Sequence, residues 1–186
     1  MDPVQRHTAR LALAAALPLA GLPTRDGFTR AARRLARHPE AAVILIDLDG
    51  FKKVNDTCGH QAGDAILRAA ADALDLISGT DGCAARLGGD EFAVITTLPQ
   101  HRVPFTMSKL KWALSAPIPW DGAELRVGAS IGVARLADLP QPTVGDALAA
   151  ADTAMYHAKH NGGGWHQHTP DTDTTQRRWQ RTQPAA

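Results

Sequence analysis

Cysteine is nearly absent: the 186 residues contain two, Cys58 and Cys83, in stretches that read as loop and strand, without CxxC spacing or a disulfide framework. That excludes a disulfide-stapled secreted domain and makes a reducing cytoplasm the expected setting. Net charge is nearly absent as well. Twenty Lys and Arg offset nineteen Asp and Glu, a formal +1, so no global field draws the chain to nucleic acid or to an anionic membrane, and neither partner is expected. Any phosphate binding has to be local. No apolar run is long enough to cross a bilayer. The nearest approach, Leu11 to Leu22 behind Arg6 and Arg10, is interrupted by Pro18 and Gly21, and the residues after it already read as folded domain. A helix packing on the domain is therefore expected over residues 1–18 rather than a secretory signal. No internal repeat is evident.

What is present suits one globular unit: 44% of positions are apolar and 21% charged, enough for a single full-sized core. Residues 26–38 show helical spacing, with Phe28, Ala31, Ala32 and Leu35 on one side and Arg30, Arg33, Arg34 and Arg37 on a solvated one. After Pro39, the apolar run Ala41 to Ile46 predicts a strand buried on both faces. Gly63 to Ile77 returns to helical spacing. Cys83–Leu87 and Phe92–Thr97 predict two strands around Gly88-Gly89-Asp90-Glu91, a hairpin signal because glycine tolerates positive φ. A helix from Pro104 to about Ser115 is closed by Pro117 and Pro119. Leu125 to Ala134 alternates as one strand. Asp146 to His160 predicts a last helix stopped by Gly162-Gly163-Gly164, and Trp165–His168 a closing edge strand. The order argues for an α+β fold, a mostly antiparallel sheet flanked by helices, over residues 19–168. Residues 169–186, polar and rich in Gln, Arg and Thr, predict a flexible tail.

The chemistry lies in the carboxylates. Asp47 and Asp49, two apart at the end of an extended strand, point to the same side, and Asp90 and Glu91 occupy the hairpin tip. If the hairpin pairs beside that strand, up to four carboxylates meet at one edge of the sheet and need a counter-charge. Magnesium supplies it, because it takes hard oxygen ligands, usually one or two carboxylates plus substrate phosphates; manganese is the alternative ion. Such a site suits phosphoryl or nucleotidyl transfer. Between the acidic clusters, Phe51 to Asp64 reads as a loop leading into a helix. Lys52 can meet a phosphate as a point charge, whereas Lys53 reads as surface. Asn55 and Asp64 carry the amide and carboxylate that a guanine edge requires, although taken singly Asn55 suits a turn and Asp64 a helix N-cap. His157, His160, His166 and His168 have no matching carboxylate or cysteine set and read as polar surface, with Tyr156 and Met155 as core and rim.

Together these blocks resemble the GGDEF domain family of diguanylate cyclases: Asp47-Leu48-Asp49-Gly50-Phe51-Lys52-Lys53-Val54-Asn55-Asp56, Gly59-His60, Gly63-Asp64, Arg86 to Phe92, Ser130 to Val133, and Ala151-Asp152 through Tyr156 to Lys159. Gly21-Leu22-Pro23 and Arg25 match the family's opening segment. The resemblance implies a palm-like fold related to nucleotidyl cyclases. It further implies GTP in two half-sites facing each other in a homodimer, each 3′-hydroxyl attacking the partner's α-phosphate to give cyclic di-GMP. By the same resemblance Asp47, the Leu48 carbonyl and Asp90 ligate magnesium, and Asp90 and Glu91 are the catalytic carboxylates. GTP is held by Gly50, Phe51, Lys52 and Lys159 at the phosphates and by Asn55 and Asp64 at guanine, with Gly88 and Gly89 keeping the hairpin bare. Asp49 supports the site.

The chain departs from the family in three places. Gly163 stands where relatives commonly carry an arginine that contacts phosphate, with His160 or Arg135 as conceivable substitutes. Gly79 and Gly82 replace the Arg-x-x-Asp through which product inhibits many relatives, and Asp81 lies one residue off. Leu17 and Ala20 replace an aspartate and a threonine. The implied function is a cyclase acting as a homodimer, brought together by the N-terminal helix, the tail or a separate sensor or dimerising protein. A weak or inactive domain that binds GTP or a partner is the alternative, and a cyclase for another nucleotide a third.

Overall fold

The structure, a computed structural model, describes residues 22–169. The expected helix over 1–18, the departures at Leu17 and Ala20, and the tail from Pro170 onward lie outside the described residues. The chain runs α1 (Arg25–Leu35), β1 (Ala41–Asp49), α2 (Phe51–Cys58), α3 (His60–Ser78), β2 (Cys83–Gly88), β3 (Glu91–Thr97), α4 (Val103–Leu114), β4 (Ile118–Trp120), β5 (Ala123–Leu125), β6 (Gly128–Arg135), α5 (Val144–His160) and β7 (Gly164–Gln167).

Five strands form the central sheet in the order β2-β3-β1-β6-β7, with β4 and β5 a separate small hairpin. Every neighbouring pair is antiparallel except β6 and the edge strand β7. The expected α+β sandwich is therefore what forms. Its centre is β1, whose first eight residues are all buried. Successive side chains of a strand alternate between faces, and β1 sorts accordingly. Ala42, Ile44, Ile46 and Leu48 join the core beneath α3 and α4. Ala41, Val43 and Leu45 join the core beneath α1 and α5. Each fully buried Ile or Leu contributes roughly 1.5–3 kcal/mol of apolar transfer. A strand buried on both faces shows no polar alternation to mark its extent, and β1 runs past the apolar stretch, through Asp47 to Asp49.

Two further segments differ from expectation. Phe51 to Asp64, expected as a loop, is mostly helical. Gly50, at φ 80°, turns the chain directly out of β1 into α2, where Phe51 is buried and Val54 packs against the core. With just those two apolar residues, one turn apart among Lys, Asn, Asp and Thr, α2 carries too little periodic signal to be seen in sequence. Gly59 (φ 82°) breaks it, and α3 begins at His60, so Asp64 lies within the helix rather than capping it. Likewise Leu125 to Ala134 is not one strand but the end of β5 and, after Arg126 and Val127, most of β6.

The helix α5 lies unusually close to the sheet. Its buried residues are Ala147, Ala150, Ala151, Ala154 and Ala158, and a Cβ placed on Gly132 of β6 would stand 2.0 Å from the Ala151 carbonyl oxygen and 2.3 Å from the Met155 nitrogen. Backbone cannot yield as a side chain can. Gly132→Ala is therefore expected to destabilise the fold by about 1–3 kcal/mol through overpacking, read as a lowered midpoint in thermal or urea unfolding. The close seating matters because α5 ends at the site.

Candidate active site

Register brings the acidic residues together. On β1, Asp47 is paired with Glu91 of β3 on one side and with Ser130 of β6 on the other. Asp47 and Asp49 continue the odd-numbered face of β1, the face covered by α5, so both point to the same side as expected. The β2–β3 hairpin has Gly89-Asp90 as its two-residue tip. Of the glycine pair just Gly89 takes positive φ, 51°, since Gly88 is the last residue of β2. The Leu48 amide donates to the Asp90 carbonyl at 3.2 Å, which binds the tip to the end of the central strand. The four carboxylates thus surround one strand end.

The cation at this edge comes from α5. Lys159 Nζ donates to Asp47 Oδ1 at 2.9 Å, across 112 residues of sequence. Asp47 is 9% exposed, and a buried carboxylate needs such a partner, because an unpaired one is strongly destabilising. The hydrogen bond to Asp47 pushes the Lys159 ammonium above its ordinary pKa of 10.5; burial opposes the rise, while the charges of Asp47, Asp49 and Asp90 add to it. Lys159 therefore stays charged at neutral pH.

Asp49 is seated differently. It accepts from the Ser130 hydroxyl at 2.8 Å, and a Cβ on either Gly128 or Gly163 would stand 3.0 Å from its Oδ2. Two glycines thus make room for one carboxylate, and Ser130, to which the sequence alone assigns no role, holds that carboxylate. Nothing local in the sequence marks these neighbours, since they come from β6 and the turn before β7.

The two residues that the resemblance assigns to guanine, Asn55 and Asp64, also lie close together. Asn55 of α2 lies over Gly63 of α3, where an added Cβ would fall 2.0 Å from Asn55 Oδ1, and Asp64 follows at once. Alanine at 63 favours a helix by about 1 kcal/mol, and the atom it meets is the tip of a movable side chain. Gly63→Ala is therefore expected to leave stability unchanged or improved and, on the GTP-binding role that the resemblance implies for Asn55, to weaken GTP binding about tenfold by displacing it. Titration with a non-hydrolysable GTP analogue alongside thermal unfolding checks both halves.

Among the described residues, no group of three or more His, Cys, Asp and Glu side chains stands at metal-ligand spacing. The residues that the resemblance names for magnesium, Asp47, the Leu48 carbonyl and Asp90, would need phosphate and water oxygens to complete its shell. The two substitutes named for the missing arginine are placed differently, Arg135 away from the site and His160 engaged with its own helix. Arg135 pairs with Ala42 at the opposite end of β1 and donates to Asp138 and Gln100. The His160 ring stacks on Tyr156 at 3.8 Å, its Nδ1 against the Tyr156 carbonyl. Gly163, at φ 87°, sits between two further glycines of positive φ, a backbone that arginine would adopt only under strain. His168, expected on a polar surface, is buried at 6% exposure, and Tyr156 is half exposed rather than core.

The positions where many relatives carry the Arg-x-x-Asp both suit glycine, for different reasons. Gly79 ends α3 with φ 67°. A Cβ on Gly82 would stand 2.2 Å from the Ser78 carbonyl oxygen and 2.4 Å from that of Ile95, so position 82 has no room for an aspartate.

A mostly antiparallel central sheet flanked by helices, with an acidic hairpin beside an acidic strand end, defines an α+β domain of the palm-like kind that the resemblance implies. Residues 18–164 match the family described as diguanylate cyclase, GGDEF domain. The chain belongs to the GGDEF family. It is 52% identical over 153 residues to an uncharacterized 19.3 kDa protein of Streptomyces ambofaciens, covering 82% of each. It is 38% identical over 131 residues to the probable diguanylate cyclase DgcE of Escherichia coli, a match covering 68% of this chain but 12% of that protein. The solved GGDEF domain of PA1120 from Pseudomonas aeruginosa superposes with a TM-score of 0.74 at 32% identity, over 87% of this chain and 98% of that one.

Proposed function

We propose that this chain is a diguanylate cyclase that condenses two GTP into cyclic di-GMP with release of two pyrophosphates, each half-site of a homodimer contributing one nucleotide. The observation that carries the reading is the register of β1, which sets Asp47 beside Glu91 and ties Leu48 to Asp90, with Lys159 on Asp47. Asp47, the Leu48 carbonyl and Asp90 would hold magnesium, or manganese in its place. When bound, the metal lowers the pKa of the attacking hydroxyl and neutralises charge on the leaving pyrophosphate. Glu91, paired with Asp47 across β1 and β3, would accept the proton of the attacking 3′-hydroxyl and pass it to solvent. As that oxygen bonds to the partner's α-phosphorus, the bond from that phosphorus to the bridging oxygen breaks. Lys52 and Lys159, with the backbone turn at Gly50 and Phe51, steady the phosphates; Asn55 and Asp64 select guanine; Gly88 and Gly89 leave the hairpin open to the nucleotide.

Gly163 favours a second reading, a GTP-binding or partner-binding module without turnover. Loss of one charged phosphate contact is worth on the order of 1.5–3 kcal/mol, enough to weaken binding but not to abolish it. Among the described residues no helix is long and apolar enough to cross a membrane, which is compatible with action in the cytoplasm beside a separate sensor or dimerising protein. The deciding experiment incubates the protein with GTP and magnesium at high protein concentration and separates the nucleotides. Cyclic di-GMP supports the cyclase, while bound GTP without product overturns it and leaves the module.

A further inference from the structure

The hairpin tip has little to hold it by packing. A Cβ added to Gly88 or Gly89 would meet nothing within 4 Å, and a cavity of about 340 Å³ opens between the Arg86–Gly89 strand end and Leu22–Thr24. What spans the turn instead is one side chain. Arg86 donates from Nε at 2.9 Å and from Nη2 at 2.6 Å to the carbonyl oxygen of Gly89. The base of this arm is itself anchored, because the Arg86 amide donates to the Pro23 carbonyl at 3.3 Å. The ladder skips Leu87, pairing Arg86 with Phe92 and Gly88 with Glu91, and such a bulge re-aims the neighbouring side chain.

We propose that Arg86 is a positioning residue for Asp90: by clamping the Gly89 carbonyl it fixes the peptide that carries Asp90 and so the placement of that carboxylate at the reaction centre. The peptide group is planar, so holding its oxygen with two donors fixes the direction in which the Asp90 backbone leaves the turn. The Leu48 amide, bonded to the Asp90 carbonyl, restrains the other side of the same residue. The main chain around Asp90 is thus held on both sides, by the Arg86 side chain from β2 and by the Leu48 amide from β1. A guanidinium suits the task because its donors form a rigid fork, whereas a lysine offers one point of attachment at a time.

The inference rests on the cyclase reading, and its test has an arm that does not. In the full chain, Arg86→Ala is expected to lower kcat about tenfold, the scale for groups that orient a metal ligand, and to raise the magnesium concentration at half-maximal rate, with KM for GTP unchanged. Arg86→Lys should recover part of the loss. In the nucleotide-free protein, the Leu48 amide should exchange its hydrogen faster in Arg86→Ala than in the parent, at an unchanged unfolding midpoint. A raised KM at preserved kcat would overturn the proposal, because the guanidinium would then touch the nucleotide. Parental exchange at Leu48 would overturn it equally. If the parent turns over no GTP, the cyclase reading falls while the exchange measurement still decides Arg86. If Arg86→Ala does not fold, Arg86→Lys carries both measurements, and its failure to alter either one overturns the proposal.

Discussion

Asp90→Ala is expected to cut cyclic di-GMP formation about a thousandfold or more while leaving the fold intact. On the proposed cyclase reading, several kcal/mol of charge stabilisation would depend on a correctly held metal, and each 1.36 kcal/mol is a factor of ten. The fold should survive because what ties the tip to β1 is main chain, the Asp90 carbonyl accepting from the Leu48 amide at 3.2 Å, and alanine keeps that carbonyl. Product formed per unit time, with unfolding midpoints for both proteins, is the measurement. Activity within tenfold of the parent would remove Asp90 from the reaction centre and undermine the role assigned to the hairpin.

On the same reading, Asp64→Asn should change which nucleotide the protein accepts more than how it folds. The side chain is half-buried on α3, and the substitution preserves its shape. A carboxylate accepts from two adjacent donors on the guanine edge, whereas an amide accepts from one and presents its own N–H to the other. The expected loss is about a hundredfold in kcat/KM for GTP, since a site built for a hydrogen bond is penalised by a group left unpaired. Turnover of ATP should not fall, so the preference for GTP narrows. Equal losses for both nucleotides would place Asp64 in general support of the helix junction.

The hairpin that carries Asp90 and the helix junction that carries Asp64 were not equally legible in the sequence. The hairpin announced itself, because Gly88-Gly89 between two apolar runs is a local signal and the acidic residues adjoin it. α2 did not, because its anchoring rests on Phe51 and Val54 reaching a core assembled from distant strands. The same limit concealed Ser130. A hydroxyl on an apolar strand gives no sign that a carboxylate 81 residues earlier lies across from it.

Much of the chemistry was nevertheless contained in the sequence. It determined the acidic strand end and the acidic turn, because each is a matter of residue type at short spacing, while the guanine role of Asn55 and Asp64 and the meaning of Gly163 and Gly82 came from the family resemblance. Only the tertiary structure decided how they combine. Strand register put Asp47 beside Glu91, and the close seating of α5 on Gly132 delivered Lys159 to Asp47. The left-handed glycine turn left Gly163 against Asp49, and the bulge at Leu87 swung Arg86 over the turn. These are contacts between segments far apart in the chain, set by how strands pair and helices pack, and local residue patterns carry no direct record of them.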